Sequence, residues 1–183
     1  MFDRQDFIQN CIAAAAEGQA AIRELVAEAV SDPTRIAAEL GPPTHAGLTP
    51  LYRSKTLTII HFVWAPCMSL MPHNHQMYSV VGIYDGREDN VFWRRKAASI
   101  EAVGAASLGA RDVVTLAPDA IHSVLNPIGR MTLAIHVYGG DFFAPEQPRS
   151  QWDHETLAEE AWDVERVKRI FADAERRFGV TTG

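Results

Sequence analysis

Six short apolar segments between Thr56 and Tyr138 constrain the fold more than any other feature of this sequence. They are rich in β-branched and aromatic residues and are separated by Gly, Pro, Asp and Asn, the pattern of strands joined by turns. The segments are TLTIIHFVW, HQMYSVVGIY, NVFWRR, RDVVTLA, AIHSVLN and MTLAIHVY. Strands at this spacing predict a β-sandwich or a β-barrel. Residues 97–110 are rich in Ala, Gly and Ser, so we expect them to form a loose connection between two halves of that structure.

Helical patterns flank the strand-rich region. Residues 3–30 carry apolar side chains at helical spacing. Asp32 is placed to cap a further helix that starts at Pro33, and Asp163 is placed to cap a helix near the other end. We therefore expect one domain, with an N-terminal helical segment at 1–45, a β-barrel at 51–143 and a C-terminal helical segment at 150–179.

Charge and cysteine content limit the possible partners and location. The net charge of −6 argues against a nucleic-acid or anionic-membrane partner, both of which favour basic patches. No apolar run reaches membrane-spanning length, and MFDRQDF lacks the hydrophobic region of a signal peptide. Cys11 and Cys67 are too few for a disulfide framework. We expect a cytoplasmic protein with both thiols reduced, and Cys67 packed as a small buried hydrophobe.

Three histidines in strand-like segments form a candidate metal site. His73 and His75 lie two residues apart in an extended apolar run, so their rings point to the same face of a strand. His122, in a second such segment, is the third candidate ligand. Iron, zinc, copper and nickel all accept imidazole nitrogen. The alternative is a set of core histidines satisfied by hydrogen bonds.

The neighbouring residues indicate what such a site would bind. Strand parity puts Ser79, which is not a good metal ligand, on the same face as His73 and His75. Three neutral imidazoles leave a divalent ion with its full charge, so the site attracts an anion, and a coordinating thiol is deprotonated. With iron(II), the remaining coordination positions can also take O₂. The ligand set therefore favours a thiol or another chelating anion as substrate.

Two motifs resemble those of the cupin superfamily. Residues 73–86, HNHQMYSVVGIYDG, follow the first cupin motif, HxH–x3–E–x6–G, with Ser79 in place of the glutamate. Residues 118–126, PDAIHSVLN, resemble the second motif, one residue shorter between Pro and His. The resemblance implies a mainly β fold, the cupin double-stranded β-helix (a jelly-roll barrel), with N-terminal helices and a C-terminal helix outside it.

From about Leu51 to Phe143 the chain is most similar to the thiol dioxygenases, the family of cysteine dioxygenase, and closer to the bacterial type. His73, His75 and His122 match the iron ligands of that family. The segment AIHVY resembles the family's SLHLY, which implies catalytic roles beside the substrate for its histidine and tyrosine, here His136 and Tyr138. The segment LYRS places Arg53 at the arginine that binds the substrate carboxylate.

The resemblance implies an Fe(II)-dependent dioxygenase with one mononuclear site. It would use O₂ as co-substrate and a small thiol such as cysteine or 3-mercaptopropionate as substrate, giving the sulfinic acid. Ser79 stands where the mammalian enzymes carry a cysteine crosslinked to the tyrosine, and Ala134 replaces the serine that supports the histidine.

Several alternatives stay open. For His136 and Tyr138 the alternative is a buried polar pair, and for Arg53 it is a surface ion pair. For the whole protein the alternatives are a three-histidine zinc or nickel cupin that acts as a hydrolase or isomerase, and a cupin that binds a small ligand without catalysis.

The other polar residues of the strand region have ordinary structural explanations. His61 alternates with apolar residues, so we expect it in the core. Asn126 is expected to fix a turn or the end of a strand. Glu88 and Asp89 follow the turn at Gly86, and we expect both to be solvated.

Overall fold

The computed structural model describes residues 2–178, with only the backbone of Phe178. Within this range the helices are α1 (Arg4–Ala14), α2 (Gln19–Ser31), α3 (Pro33–Leu40) and α4 (Val164–Phe178), with a 3-10 turn at Ala15–Glu17. The strands are β1 (Gly47–Arg53), β2 (Thr58–Trp64), β3 (Ser69–Asn74), β4 (Ser79–Asp85), β5 (Arg87–Arg95), β6 (Ile100–Gly109), β7 (Val113–Leu116), β8 (Ile121–Leu125), β9 (Thr132–Tyr138), β10 (Ser150–Trp152) and β11 (Glu159–Ala161). None of these helices is long and apolar enough to cross a membrane. Gly179, the last residue of the predicted C-terminal segment, lies outside the described residues.

The strands form two antiparallel sheets that pack around a shared core. The first sheet has the order β1-β2-β9-β4-β7 and the second β11-β10-β3-β8-β5-β6. Neighbours in both sheets are often far apart in sequence, which is typical of a jelly-roll barrel. The predicted mainly β fold with helices at both ends is confirmed.

Alternation along the strands of the first sheet separates two cores. On β4, Val81 and Ile83 face the second sheet, whereas Val80 and Tyr84 face the N-terminal helices. Successive side chains of a strand point to opposite faces, and here both faces are covered. His61 lies on the helix side, hydrogen-bonded to the Tyr84 hydroxyl at 2.6 Å, so its predicted core position is confirmed.

Helix α2 lies directly on the first sheet because Gly82 has no side chain. A Cβ at this position would lie 2.5 Å from Cγ1 of Val26 and 2.8 Å from Cγ1 of Val30. Ordinary carbon contacts are about 3.5–4.0 Å, so any larger residue would push the helix away. The close approach lets the valines of α2 pack against β4.

The predicted helix and turn signals are confirmed. The Asp32 side chain accepts a hydrogen bond from the Arg35 amide, and α3 starts at Pro33. Asp163 accepts from the amides of Glu165 and Arg166 at the start of α4. The Asn126 side-chain amide bonds backbone carbonyls on two neighbouring segments and so ties down the end of β8.

Three parts of the chain differ from expectation. Residues 97–110 contain β6, which pairs with β5 along its full length, because small residues can still form a backbone ladder at a solvated edge. Cys67 is exposed, in a turn with φ +54°, so its predicted burial is wrong. The range 150–179 is helical only from Val164; its first part forms the β10–β11 hairpin, whose strands are too short to show a periodic pattern.

Candidate metal centre

Three buried histidines converge inside the barrel. His73 lies on β3, His75 follows the end of that strand, and His122 lies on β8. Strands β3 and β8 are antiparallel neighbours in which His73 stands directly opposite His122. One ring nitrogen from each histidine lies within 4.8 Å of the other two. The structure therefore brings all three predicted metal ligands together.

The Nε2 atoms face one another, and the Nδ1 atoms are held by the protein. The His75 Nε2 lies 3.1 Å from the Nε2 of His73 and 3.5 Å from that of His122. The His73 Nδ1 lies 2.9 Å from the Met71 carbonyl, and the His122 Nδ1 lies 2.7 Å from the Asn90 side-chain oxygen. These oxygens only accept, so both Nδ1 atoms carry hydrogen and both Nε2 atoms present lone pairs to the centre. A divalent ion that prefers imidazole fits this arrangement.

The protein keeps these imidazoles neutral, which is the form that binds metal. Burial lowers the pKa of His73 to about 4, against the opposing effect of the hydrogen bond to Met71. Burial also lowers the pKa values of His75 and His122 well below the ordinary value, and the neighbouring histidines lower them further. Three neutral nitrogens, with no carboxylate among the candidate ligands, therefore define the candidate metal site.

Ser79 lies beside the cluster without joining it. Its hydroxyl is 3.5 Å from the Nδ1 of His75, on the side of the ring away from the other two histidines. It occupies the position of the glutamate in the first cupin motif and lies opposite Tyr138 in the β4–β9 pairing. A serine here contacts a ligand ring but adds no negative charge to the site.

His136 and Tyr138 lie next to the three histidines. Both are on the inner face of β9, and the His136 Nδ1 is hydrogen-bonded to the Tyr138 hydroxyl at 3.0 Å. The Tyr138 ring meets the His75 ring edge-on, with ring centroids 5.1 Å apart. Burial lowers the pKa of His136 to about 3 and raises that of Tyr138. The two residues therefore form a neutral hydrogen-bonded pair at the centre's edge.

Glu88 is a further residue of the site, and its predicted solvation is wrong. It is fully buried, and its Oε1 accepts a hydrogen bond of 2.9 Å from the Asn90 amide that holds His122. Its Oε2 lies 3.9 Å from the Nε2 of His136, and neither of these two atoms has a hydrogen-bond partner within residues 2–178. Burial raises the pKa of Glu88 to about 7, although the Asn90 hydrogen bond opposes this.

Glu88 thus links two parts of the site. Through Asn90 it orients His122, and with its other oxygen it faces His136. Strand parity in the sequence could have indicated this position of Glu88, because Glu88 and Asn90 are two residues apart and share a face of β5.

Arg149 also lies at the site, although no sequence pattern identified it. Its guanidinium stacks between the rings of Phe142 and Trp162, 4.6 Å from each ring centre. The Trp162 ring lies 5.4 Å from the His73 ring, and the Phe142 ring lies 6.2 Å from the His75 ring. These side chains cover one side of the histidine cluster.

Arg53 lies outside this cluster. Its side chain is 49% exposed, and its guanidinium binds both carboxylate oxygens of Asp141, at 2.8 and 2.9 Å. The pair of N–H groups that would hold a carboxylate substrate is therefore occupied by a carboxylate of the protein itself. The surface ion pair is the alternative that the sequence left open, and the substrate-binding role stays a prediction.

Sequence comparisons identify no relative: no protein-family model matches the chain, and no curated protein matches it significantly. Solved structures do resemble it. A Bacillus halodurans protein superposes with a TM-score of 0.51 at 13% identity, covering 63% of this chain and 82% of that one. An RmlC-like cupin family protein with a double-stranded β-helix from Methanocaldococcus jannaschii gives 0.46 at 12% identity, over 55% and 85% of the two chains. A double-stranded β-helix protein from Klebsiella pneumoniae gives 0.44 at 9%, over 67% and 89%.

The two facing sheets and their strand order settle the architecture. This chain has the cupin fold. At a TM-score of 0.51 and 13% identity, the Bacillus halodurans protein shares this fold, and an identity this low carries no activity from one protein to the other. Within this cupin barrel, the histidine centre lies between the two sheets, with His136 and Tyr138 on the first and His73 and His122 on the second.

Proposed function

We propose that the protein is an Fe(II)-dependent thiol dioxygenase, which uses O₂ to oxidise a small thiol, such as cysteine or 3-mercaptopropionate, to its sulfinic acid. The observation that carries the proposal is the set of three neutral Nε2 atoms with no carboxylate, next to the His136–Tyr138 pair. In the reaction both atoms of O₂ become bonded to the thiol sulfur. The electrons that O₂ takes up come from that sulfur, so no external reductant is needed.

His73, His75 and His122 would hold the iron. When bound, iron(II) supplies redox chemistry with O₂, and its uncompensated positive charge favours the thiolate form of a coordinating substrate. The Met71 carbonyl and the Asn90 side chain hold two of the rings in the tautomer that exposes Nε2. Such partners commonly change metal affinity or activity by about 10–100-fold when removed.

The Tyr138 hydroxyl is the polar group of the protein that would contact the reacting atoms. The hydroxyl stays protonated because burial raises its pKa. In the tautomer in which the His136 Nδ1–H donates to its oxygen, its own proton is available for a hydrogen bond to substrate or to oxygen. The His136 ring fixes the hydroxyl, and Glu88 faces the other nitrogen of that ring. Ala134, where the thiol dioxygenases have a supporting serine, leaves this position of β9 without a polar group, and the Glu88 carboxyl, 3.9 Å from the Nε2 of His136, is the polar group that faces the ring instead.

Oxygen consumption by the iron-loaded protein with a panel of thiols tests the proposal. We expect consumption of one O₂ per thiol and a product heavier by both oxygen atoms. Tyr138→Phe should lower kcat/KM by at least about 10-fold, because a lost hydrogen bond of about 1.4 kcal/mol corresponds to a tenfold change in rate.

Tyr84→Phe is the matched control, because Tyr84 also bonds a buried histidine, His61, but faces the helices. Its rate should equal that of the unmodified protein. A protein that carries zinc or nickel, and that consumes no O₂ with any thiol when loaded with iron, would contradict the proposal and favour the hydrolase or isomerase alternative.

A further inference from the structure

Five buried polar side chains link the histidine cluster to the Tyr138 hydroxyl. The His122 Nδ1 lies 2.7 Å from the Asn90 side-chain oxygen, and the Asn90 amide donates a 2.9 Å hydrogen bond to the Oε1 of Glu88. The Oε2 of Glu88 lies 3.9 Å from the Nε2 of His136, whose Nδ1 lies 3.0 Å from the Tyr138 hydroxyl. We call these five side chains the Glu88 network.

The contact between Glu88 and His136 is the longest in the network. Its 3.9 Å is about 1 Å longer than a direct hydrogen bond. Both atoms are buried, and within residues 2–178 neither has another partner, an arrangement that is costly if it persists. A small rotation of the carboxyl or one bridging water would connect them, and the hydrogen bonds run in the same direction in both cases.

Asn90 fixes the side of the carboxyl that carries a proton. Because the His122 Nδ1 donates to the Asn90 oxygen, the Asn90 amide nitrogen faces Glu88. This N–H group holds Oε1 as an acceptor, so the proton of a neutral Glu88 lies on Oε2, next to His136. The ring orientation that exposes the Nε2 of His122 therefore also directs the Glu88 proton.

The two protonation states of Glu88 have opposite effects on Tyr138. With a neutral carboxyl, Oε2–H donates to the His136 Nε2, the ring hydrogen lies on Nδ1 and donates to the Tyr138 oxygen, and the Tyr138 proton faces the histidine centre. With a carboxylate, the ring hydrogen lies on Nε2, and Nδ1 accepts the Tyr138 proton instead. The change from the first state to the second releases one proton to solvent and moves the ring hydrogen from Nδ1 to Nε2.

We propose that Glu88 is a positioning residue that sets, through His136, the direction in which the Tyr138 hydroxyl donates its hydrogen bond. This role rests on the proposed thiol dioxygenase function, in which the hydroxyl contacts the reacting atoms. The neutral carboxyl directs the hydroxyl proton towards the substrate. Activity should therefore fall as Glu88 loses its proton.

Glu88 is the member of the network that titrates near neutral pH. Burial raises its pKa to about 7, lowers the pKa of His136 to about 3 and raises that of Tyr138. The Trp64 N–H favours the carboxylate, whereas the charge of Asp89 disfavours it. The side chains around the carboxyl come from β2, β5, β6 and β9, and they are Trp64, Asp89, Asn90, Leu108, His136 and Tyr138.

Nitrogen NMR of the zinc-loaded protein with isotope-labelled histidine tests the assignment, because zinc is diamagnetic and the shifts of the two ring nitrogens report which one carries hydrogen. From about pH 5 to about pH 9 the His136 hydrogen should move from Nδ1 to Nε2 in one step. The midpoint should lie at or below the pKa of about 7, because a nearby cation favours the carboxylate.

Three variants assign this step to Glu88. Glu88→Gln should keep the hydrogen on Nδ1 at every pH, because Asn90 holds the glutamine oxygen and the amide N–H then faces His136. Asp89→Asn, the matched control, should retain the step. Trp64→Phe keeps the Glu88 carboxyl but removes an N–H that favours its charged form, so the midpoint should move to higher pH.

The iron-loaded protein provides a second readout. Its kcat for thiol oxidation should fall by about 10-fold as pH rises through the corresponding step, the effect of losing one hydrogen bond from Tyr138. Glu88→Gln should lack this fall, and Asp89→Asn should show it. A merely structural role for Glu88 would leave the pH profile of Glu88→Gln like that of the unmodified protein.

The outcomes separate the role of Glu88 from the proposed function. A His136 hydrogen that stays on one nitrogen in the unmodified protein, or a step that persists in Glu88→Gln, overturns the assignment. If no thiol is oxidised but the step occurs and requires Glu88, the control of the hydroxyl stands without the dioxygenase. If oxidation occurs and Glu88→Gln leaves its pH profile unchanged, only the role of Glu88 falls.

Discussion

Glu88→Gln should change how the protein's stability depends on pH. The folded-state pKa of Glu88 is about 7, against an ordinary value of 4.5, because the carboxyl is buried. Between these values the folded protein binds more protons than the unfolded chain, so this group makes the free energy of unfolding fall as pH rises. The contribution of Glu88 to the free energy of unfolding is fully present below pH 4.5 and is lost as pH rises through 7. At about 1.4 kcal/mol per pKa unit, the free energy of unfolding that is lost through this group is roughly 3 kcal/mol.

The buried histidines act in the opposite direction. The pKa of His136 is lowered to about 3 and that of His73 to about 4, so these groups add stability as pH rises towards the ordinary histidine value of 6.5. The pH profile of a single protein therefore mixes both effects. The difference between the variant and the unmodified protein isolates Glu88, because glutamine has nearly the same shape, can still accept from Asn90 and does not titrate.

Urea unfolding of the metal-free proteins between about pH 4.5 and about pH 8 measures this difference. Metal is removed because its binding has a pH dependence of its own. As pH rises across this range, the free energy of unfolding of the variant should increase by roughly 3 kcal/mol relative to that of the unmodified protein. Asp89→Asn is the control, because Asp89 is the next residue of β5, is paired with Arg87 and has a lowered pKa, so its difference should stay flat. A flat difference for Glu88→Gln would refute the argument that this carboxyl is held in a desolvated position.

Three further predictions follow from the centre and the helix layer. His122→Ala should remove most of the bound metal, because two imidazoles hold a divalent ion far more weakly than three. Metal analysis checks this, with the exposed His45→Ala as the control. Unchanged metal content would exclude His122 as a ligand. Peptide mass analysis should show Tyr138 unlinked to either cysteine, because Ser79 is its neighbour across the strands; a thioether would contradict the strand placement. Gly82→Val should lower the free energy of unfolding by about 1–3 kcal/mol, because the added side chain clashes with α2. Urea unfolding measures this value. An unchanged free energy of unfolding would show that α2 moves at no energetic cost.

The parts of the site that could be predicted are those encoded by short-range spacing. His73 and His75 share a face because they are two residues apart, and the same holds for His136 and Tyr138. Strand patterning also separated the barrel from the helices. Glu88 was within reach of the same rule, but its position after a turn suggested solvent, and burial depends on the opposite sheet.

Arg149 could not be predicted in this way. It reaches the site because β10 pairs with β3, a contact between residues far apart in the chain. Three-residue strands show no periodicity, and a single arginine after a proline has no signature. The strand β6 was missed for a related reason, since its Ala and Gly residues have low strand propensity and gain their structure from pairing with β5.

The β10–β11 hairpin has a consequence for how this protein can vary. The three histidines of the candidate metal centre belong to the barrel, whereas Arg149 and Trp162 flank a short element attached along one edge of β3. The three histidines and the side chains that cover one side of them are therefore carried by separate pieces of the chain. Replacing a few hairpin residues would present a different charge or shape beside the cluster while the three histidines and their supporting hydrogen bonds stayed as they are. Such a division allows the surroundings of a site to change without rebuilding the barrel that holds it.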